Sequence, residues 1–429
     1  MPITKRRLPE ILIAMIFFIV AVWNFFTANV MEQFLRFHSF ASILGGISRW
    51  IGMCGFVILP VALIYREERC RILAITAVLP AILIGLCLPH PYFAVHENTH
   101  IEIAAYISYN IASFIACLYI LCSILYERLA FRPTPLQTHQ VSVKSVFVLF
   151  VLLAAGCAPL NFFMQFRSLM KIEWLQFRIF GAWHILFVLL CAAATFALAS
   201  YLKNKSKKQR FFAMLFLSGV LLYQLAVRFS FVRLHDYQTA HGIIGALPLY
   251  VCSFGIMLLP FAVLSHSSFF RSALFLINTP GAIIAFVNPT IGHSCVLHYN
   301  TTYFVFSHVL LFAVTANLVL RLGARPNASH LKALACLIPC YYTMMFALNV
   351  AAVLSNPSYD PNFSFVSTSP LPIRFEKILP VSLGPISFSP FYLLLLCAIQ
   401  FALAFITYAV YRLIADKFKR RKNFDSKEP

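Results

Sequence analysis

Twelve long apolar runs recur along this chain, and no other feature limits its fold so tightly. They cover roughly 9–30, 45–65, 71–88, 102–125, 143–163, 177–202, 211–230, 246–265, 271–288, 302–321, 331–354 and 389–414. A bilayer core takes about 20 apolar residues per helical span. No water is available there to satisfy backbone groups, so such runs must be helices rather than open strands. The chain is 61% hydrophobic and 11% charged, against about 25% charged in soluble domains. The expected fold class is therefore all-α, a polytopic membrane helix bundle of about 12 transmembrane helices. The first run follows Lys5, Arg6 and Arg7 and continues past Trp23 to Val30 without a small-residue cleavage site, so it reads as a retained helix and not a signal peptide.

The net charge of +20 would suggest nucleic acid on a soluble protein. Here the bases cluster at the ends of the runs: Lys5–Arg7, Arg66/Arg69/Arg71, Arg128/Arg132, Lys203–Arg210, Arg321/Arg325/Lys332 and Lys417–Lys422. Those clusters fall on alternate sides, which marks that side as cytoplasmic. The loops 89–101 and 289–301 contain no Lys or Arg, whereas 164–176 and 355–388 carry two each against the trend. The expectation is N-terminus and C-terminus both cytoplasmic, in a multi-pass protein of a bacterial plasma membrane, with no nucleic-acid partner. The four tryptophans, Trp23, Trp50, Trp174 and Trp183, map near the outer interface, as an aromatic belt would.

Twelve cysteines are present, most of them inside the apolar runs, with no C-x-x-C. That pattern indicates neither a disulfide framework nor a zinc site. Histidines and acids in the loops (His90, His96, Glu97, His100, Glu102, His293, His298, and His235/Asp236/His241) are irregularly spaced and read as solvated loop residues. No metal and no cofactor are expected.

Offsetting the chain by 200 residues without gaps brings Pro60 onto Pro260, Pro80 onto Pro280, Pro89 onto Pro289, Gly55 onto Gly255 and Arg71 onto Arg271. Twelve identities in the 78 positions of 43–120 carry little weight in so apolar a chain, but three prolines in register do. Proline disrupts a helix unless the fold accommodates the break. The reading is two parallel six-helix repeats, 1–203 and 204–429. Parallel repeats occur in transporters too, so the architecture alone does not select a function.

The repeat also serves as a control, because chemistry can survive in one copy only. Cys252 in LPLYVC and His308 in FSHVLL each lie about six residues inside a run entering from the outer side. Their counterparts in the first half are Gly52 and Ser108, which cannot do thiol–imidazole chemistry. A thiolate is the nucleophile, and an imidazole can take its proton. Asn349 in FALNVA is the candidate third group that orients the imidazole, although Asn161 stands at a comparable place in the first half. The competing reading is a packing cysteine and a hydrogen-bonded structural histidine.

The stretch from about 205 to 415 resembles the family that unites a bacterial integral membrane protein, the YwaF family, with the eukaryotic transmembrane protein 164. The residues carrying the likeness are LPLYVC (247–252), LLP (258–260), INTPGAIIAFVNP (277–289), FSHVLL (306–311), the polar segment from Asn349 through Pro361, and PFYLLLL (390–396). The eukaryotic branch is regarded as a cysteine-dependent acyltransferase that remodels phospholipids. The resemblance implies Cys252 as nucleophile, His308 as base and membrane lipid as substrate. The chain departs from the family in the six spans that precede this unit and in VLSNPSYDPNF after Asn349. A two-repeat transporter or flippase and a non-catalytic accessory protein are the alternatives. The scarcity of charge inside the runs argues against proton-coupled transport.

Overall fold

The computed structural model describes much of 51–63, residues 68–87, 100–129 and 172–228, 249–287 apart from 266, 295–355, and 374–425 apart from 384–385, with single positions between. The expected run 9–30, nearly all of 143–163, Trp23, Trp50, Asn161 and the loop residues His90, His96, Glu97, His235, Asp236, His241 and His293 lie outside the described residues. Where described, the apolar runs are helices. These are α1 (Glu68–Leu73), α2 (Leu79–Cys87), α3 (His100–Leu129), α4 (Ala182–Lys203), α5 (Lys207–Arg228), α6 (Val251–Leu264), α7 (Ser268–Val287), α8 (Tyr299–Leu320), α9 (Ala328–Ser355) and α10 (Pro390–Asp425).

Several starts were written in local chemistry. Ser206 and Gln209 form a reciprocal capping box for α5, with Gln209 N–H donating to Ser206 Oγ and Ser206 N–H to Gln209 Oε1. Asn327 Oδ1 accepts from His330 N–H at 2.9 Å at the start of α9. Ser389 Oγ accepts from Tyr392 N–H at 3.1 Å and Pro390 opens α10, the position where a missing N–H costs nothing. Gly323 (φ 73°) lets the chain leave α8, with Ala324 N–H reaching back to the Leu318 carbonyl.

Five of these helices are long and apolar enough to cross a membrane: α4, α7, α8, α9 and α10. In α10 only 6% of the apolar window is buried in protein, and Leu394, Phe405, Ile406 and Leu413 are exposed. A helix so apolar and so little covered needs lipid around it. The described part of the chain is thus a multi-pass, all-helical membrane protein with one small hairpin, β1 (Val381–Leu383) against β2 (Ile386–Phe388).

The chain divides into two compact units. The first comprises Met1–Ile185, Asn204–His235 and Ile291–Ser307. Within it, α1 passes through a π-helical stretch, Ala74–Val78, into α2. The wide turn is accommodated where Pro80 has no N–H to return to the Thr76 carbonyl. Arg71 is buried and donates to Ser123 Oγ and to the Ile120 carbonyl on α3. Gly219 of α5 meets Val57, where a Cβ would stand 2.8 Å from Cγ1. The two expected outer loops are joined: Gln176 pairs with Cys295 in an antiparallel bridge, and Val296 N–H donates to the Leu175 carbonyl at 2.8 Å. Beside that bridge Trp183 stacks on exposed Trp174 at 6.1 Å and donates to its carbonyl.

The second unit comprises Leu186–Lys203, Asp236–Thr290 and His308–Pro429. Its core is a stripe of α9 (Leu331, Leu334, Ile338, Tyr342, Met345) packed with Ala273 and Leu276 of α7 and Ala404 of α10. The three- and four-residue spacing is what one helix face presents. Phe388 of the hairpin lies on Phe346 of α9, ring centres 4.6 Å apart.

Candidate functional site

The site grows from the start of α6, in the second unit. The apolar run begins at 246, yet the helix begins at Val251. Tyr250 is its N-cap, with extended backbone (φ −72°, ψ 149°) and no side-chain cap bond, and the first helical bond runs from Phe254 N–H to the Tyr250 carbonyl. The preceding carbonyl, that of Leu249, is taken by distant hydroxyls. Tyr341 Oη donates to it at 2.8 Å and Ser364 Oγ at 2.7 Å, and the two hydroxyls lie 2.5 Å apart. The Tyr341 ring also packs on Phe254 at 5.5 Å. The entry to α6 is thereby pinned by α9 and by the segment around Ser364.

Cys252 is consequently the second residue of its helix, and half-buried. The equal depths inferred from the runs do not carry over to helix positions, because His308 stands nine residues beyond Tyr299 on α8, about 13 Å along that helix. At its own position Cys252 gains something the run did not suggest. The first N–H groups of a helix lack intrahelical partners, and the macrodipole is positive there.

The surface facing Cys252 is α7. A Cβ added to Gly281 would come 3.6 Å from Cys252 Sγ, and nothing else within 4 Å. One turn further along the antiparallel seam, Gly255 of α6 faces Asn278 of α7. A Cβ on Gly255 would fall 2.1 Å from Asn278 Oδ1 and 2.5 Å from Nδ2, so glycine is what admits this amide. Asn278 is completely buried, and neither its Oδ1 nor its Nδ2 has a hydrogen-bond partner. Buried amides are normally satisfied, so this one stands out. Thr279 Oγ1, beside it, is likewise buried without a partner.

His308 on α8 is partly exposed, and Asn349 on α9 is 3% exposed. Both belong, with Cys252, to the second unit. Asn278, Gly281, Tyr341 and Ser364, which were not singled out from sequence, are the residues that meet the first turns of α6, and Gly255, noted only as a position in the 200-residue offset, admits the Asn278 amide. A usable signal did exist for Asn278: it aligns with Val78 in the first half, just as Cys252 aligns with Gly52.

The far end of α6 is closed by Arg271. This buried guanidinium donates to the carbonyls of Ala262 (3.0 Å), Val263 (3.2 Å), Leu322 (3.1 Å) and Ser265. A cation on helix C-terminal carbonyls complements the dipole. Among the described residues no group of three or more His, Cys, Asp or Glu could hold a metal ion.

Helices of this length and polarity, exposed on apolar faces, define a multi-pass integral membrane protein. Within that class the chain belongs to the TMEM164 family, whose model matches residues 179–411. The matched stretch takes in α6 through α9 and the first part of α10, and so every residue of the site above. Neither a curated protein nor a solved structure matches the chain.

Proposed function

We propose that the chain is an acyltransferase of membrane phospholipids that works through a thioester on Cys252, with His308 as general base and Asn349 orienting the imidazole. The observation carrying this reading is the setting of Cys252: a thiol at the second position of a helix, facing a glycine, within the region that defines the family. The glycine leaves room for a reacting carbonyl beside the sulfur. An apolar, lipid-immersed setting suits a substrate with acyl chains, which would enter laterally.

The same reading holds that the chain has about 12 spans in two parallel repeats, 1–203 and 204–429, with both termini cytoplasmic. Two observations support it. Arg71 reaches Ile120 and Ser123, while Arg271, 200 residues on, reaches Leu322, so equivalent arginines clamp equivalent helices. The bridge between Gln176 and Cys295 joins two loops assigned to the same, outer side. The duplication also keeps a second reading alive, a two-repeat lipid transporter in which Cys252 is a packing residue.

The test is acyl transfer by the full chain reconstituted in vesicles containing an isotope-labelled diacyl phospholipid and an unlabelled lysophospholipid. Labelled acyl chain on the acceptor, lost in Cys252→Ala and His308→Ala, is expected. Equal transfer by the parent and Cys252→Ala would overturn the proposal. Movement of a fluorescent phospholipid between leaflets, equal in both proteins, would favour the transporter.

A further inference from the structure

A thioester enzyme needs donors for the oxyanion that forms when the thiolate attacks, and the sequence offers no recognisable motif for them. We infer that Asn278 is such a donor: its side-chain amide, one helical turn along the α6/α7 seam from Cys252, holds the carbonyl oxygen of the acyl group in the transition state. The inference rests on the thioester reading above and names a further catalytic residue for it.

Three independent observations carry it. The first is satisfaction. Asn278 is fully buried with both amide atoms unpartnered, a state that disfavours folding unless something binds there. The second is position. Cys252 stands against Gly281, and Gly255 against Asn278. Residues three apart on a helix have Cβ atoms about 5–6 Å apart, so the amide lies within reach of an oxygen on a carbon bonded to Sγ. The third is the duplication. The positions matching Cys252, Asn278, Gly281 and His308 are Gly52, Val78, Ala81 and Ser108. The polar amide is absent from the copy that also lacks the thiol and the imidazole, while the glycine that admits it, Gly255, has a counterpart in Gly55. An amide needed for packing alone has no reason to depart together with the nucleophile.

The step balances without a co-reactant beyond the lipids. The Cys252 thiol passes its proton to His308, and the sulfur bonds to the ester carbon of the donor phospholipid. The oxygen of that carbonyl takes the negative charge and accepts Asn278 Nδ2–H, with backbone N–H groups of the first turn of α6, which have no intrahelical carbonyl to bond, as further donors. The carbon–oxygen bond to the glycerol breaks, and the leaving oxygen takes the proton from His308, giving a lysophospholipid and the acyl thioester. The hydroxyl of an acceptor lysophospholipid then gives its proton to His308 as its oxygen bonds to the thioester carbon; the same oxyanion forms, the carbon–sulfur bond breaks, and the sulfur takes the proton from His308, leaving a diacyl phospholipid and the free thiol.

The experiment follows acylation of Cys252 over time by intact mass, using the full chain in detergent with an ester-linked diacyl phosphatidylcholine. The parent is compared with Asn278→Leu and with Gly255→Ala, whose methyl would displace the amide. Reactivity of Cys252 toward a small maleimide and thermal stability are measured alongside. Loss of one oxyanion donor is expected to slow acylation by about 100- to 1000-fold, with maleimide labelling little changed and Asn278→Leu at least as stable as the parent. Acylation of a folded Asn278→Leu or Gly255→Ala protein at the parent rate overturns the Asn278 assignment alone. Absence of any adduct on the parent overturns the thioester reading and the assignment with it.

Discussion

Cys252 and Gly281 face each other across the α6/α7 seam, with the thiol 3.6 Å from where a Cβ on the glycine would stand. The sulfur therefore looks onto a gap that a single side chain can close. Gly281→Ala adds only an ordinary van der Waals contact and should leave Cys252 labelling by maleimide near the parent rate. Gly281→Val adds branches that reach the sulfur and should slow labelling by roughly tenfold, about 1.4 kcal/mol of barrier. Labelling rates by mass spectrometry decide this, and equal rates in both variants would place the sulfur's open side elsewhere.

Gly255 and Asn278 meet across the seam with no room for a Cβ on the glycine. Gly255→Ala forces the buried amide to move, at about 1–3 kcal/mol as for other overpacked sites. The same change in an Asn278→Ala background should cost much less, because the obstructing atoms are gone. A double-mutant cycle on thermal stability measures the coupling, which is expected to be large for residues in contact. Additive effects would contradict the packing described.

The Leu249 carbonyl holds the start of α6 through Tyr341 and Ser364. Tyr341→Phe removes one donor and leaves the other, so the expected loss of stability is about 1 kcal/mol. Combining it with Ser364→Ala strips the carbonyl of both hydroxyls, and the pair should cost more than the sum of the singles. If the site works as proposed, the double variant also slows acylation of Cys252 while leaving the thiol reduced and present.

Arg271 binds three carbonyls at the far end of α6 and that of Leu322 just past α8, and Arg71 binds the Ile120 carbonyl and Ser123 Oγ in the first unit. Charged hydrogen bonds contribute roughly 1.5–3 kcal/mol each. Arg271→Leu should therefore lower thermal stability by at least about 3 kcal/mol. A loss below about 1 kcal/mol in a thermal melt would contradict the role of Arg271 as the clamp on α6.

Much of the fold was legible because its determinants are local. The apolar runs from 177 onward became α4 to α10, and the caps at Ser206, Asn327 and Ser389 sit where the sequence places Ser or Asn before an apolar run. The start of α6 was not legible. The carbonyl just before it is held by Tyr341 and Ser364, 92 and 115 positions from Leu249, and no local pattern announces such a contact. Cys252 and His308 were visible as polar groups within apolar runs, set apart by Gly52 and Ser108 at the positions 200 residues earlier. Asn278 was hidden inside INTPGAIIAFVNP, read as an apolar stretch; its contrast with Val78 was a signal in the sequence, and its burial without a partner in the folded chain gave that contrast meaning.

The most direct test of the central claim is the mass of the intact full-length protein after incubation with ester-linked phospholipid, beside Cys252→Ala. The account predicts an increase equal to one acyl chain on the parent, removed by hydroxylamine and absent from the variant. No acyl adduct on the parent across donors of different chain length and head group, with lipid turnover equal in both proteins, would contradict it.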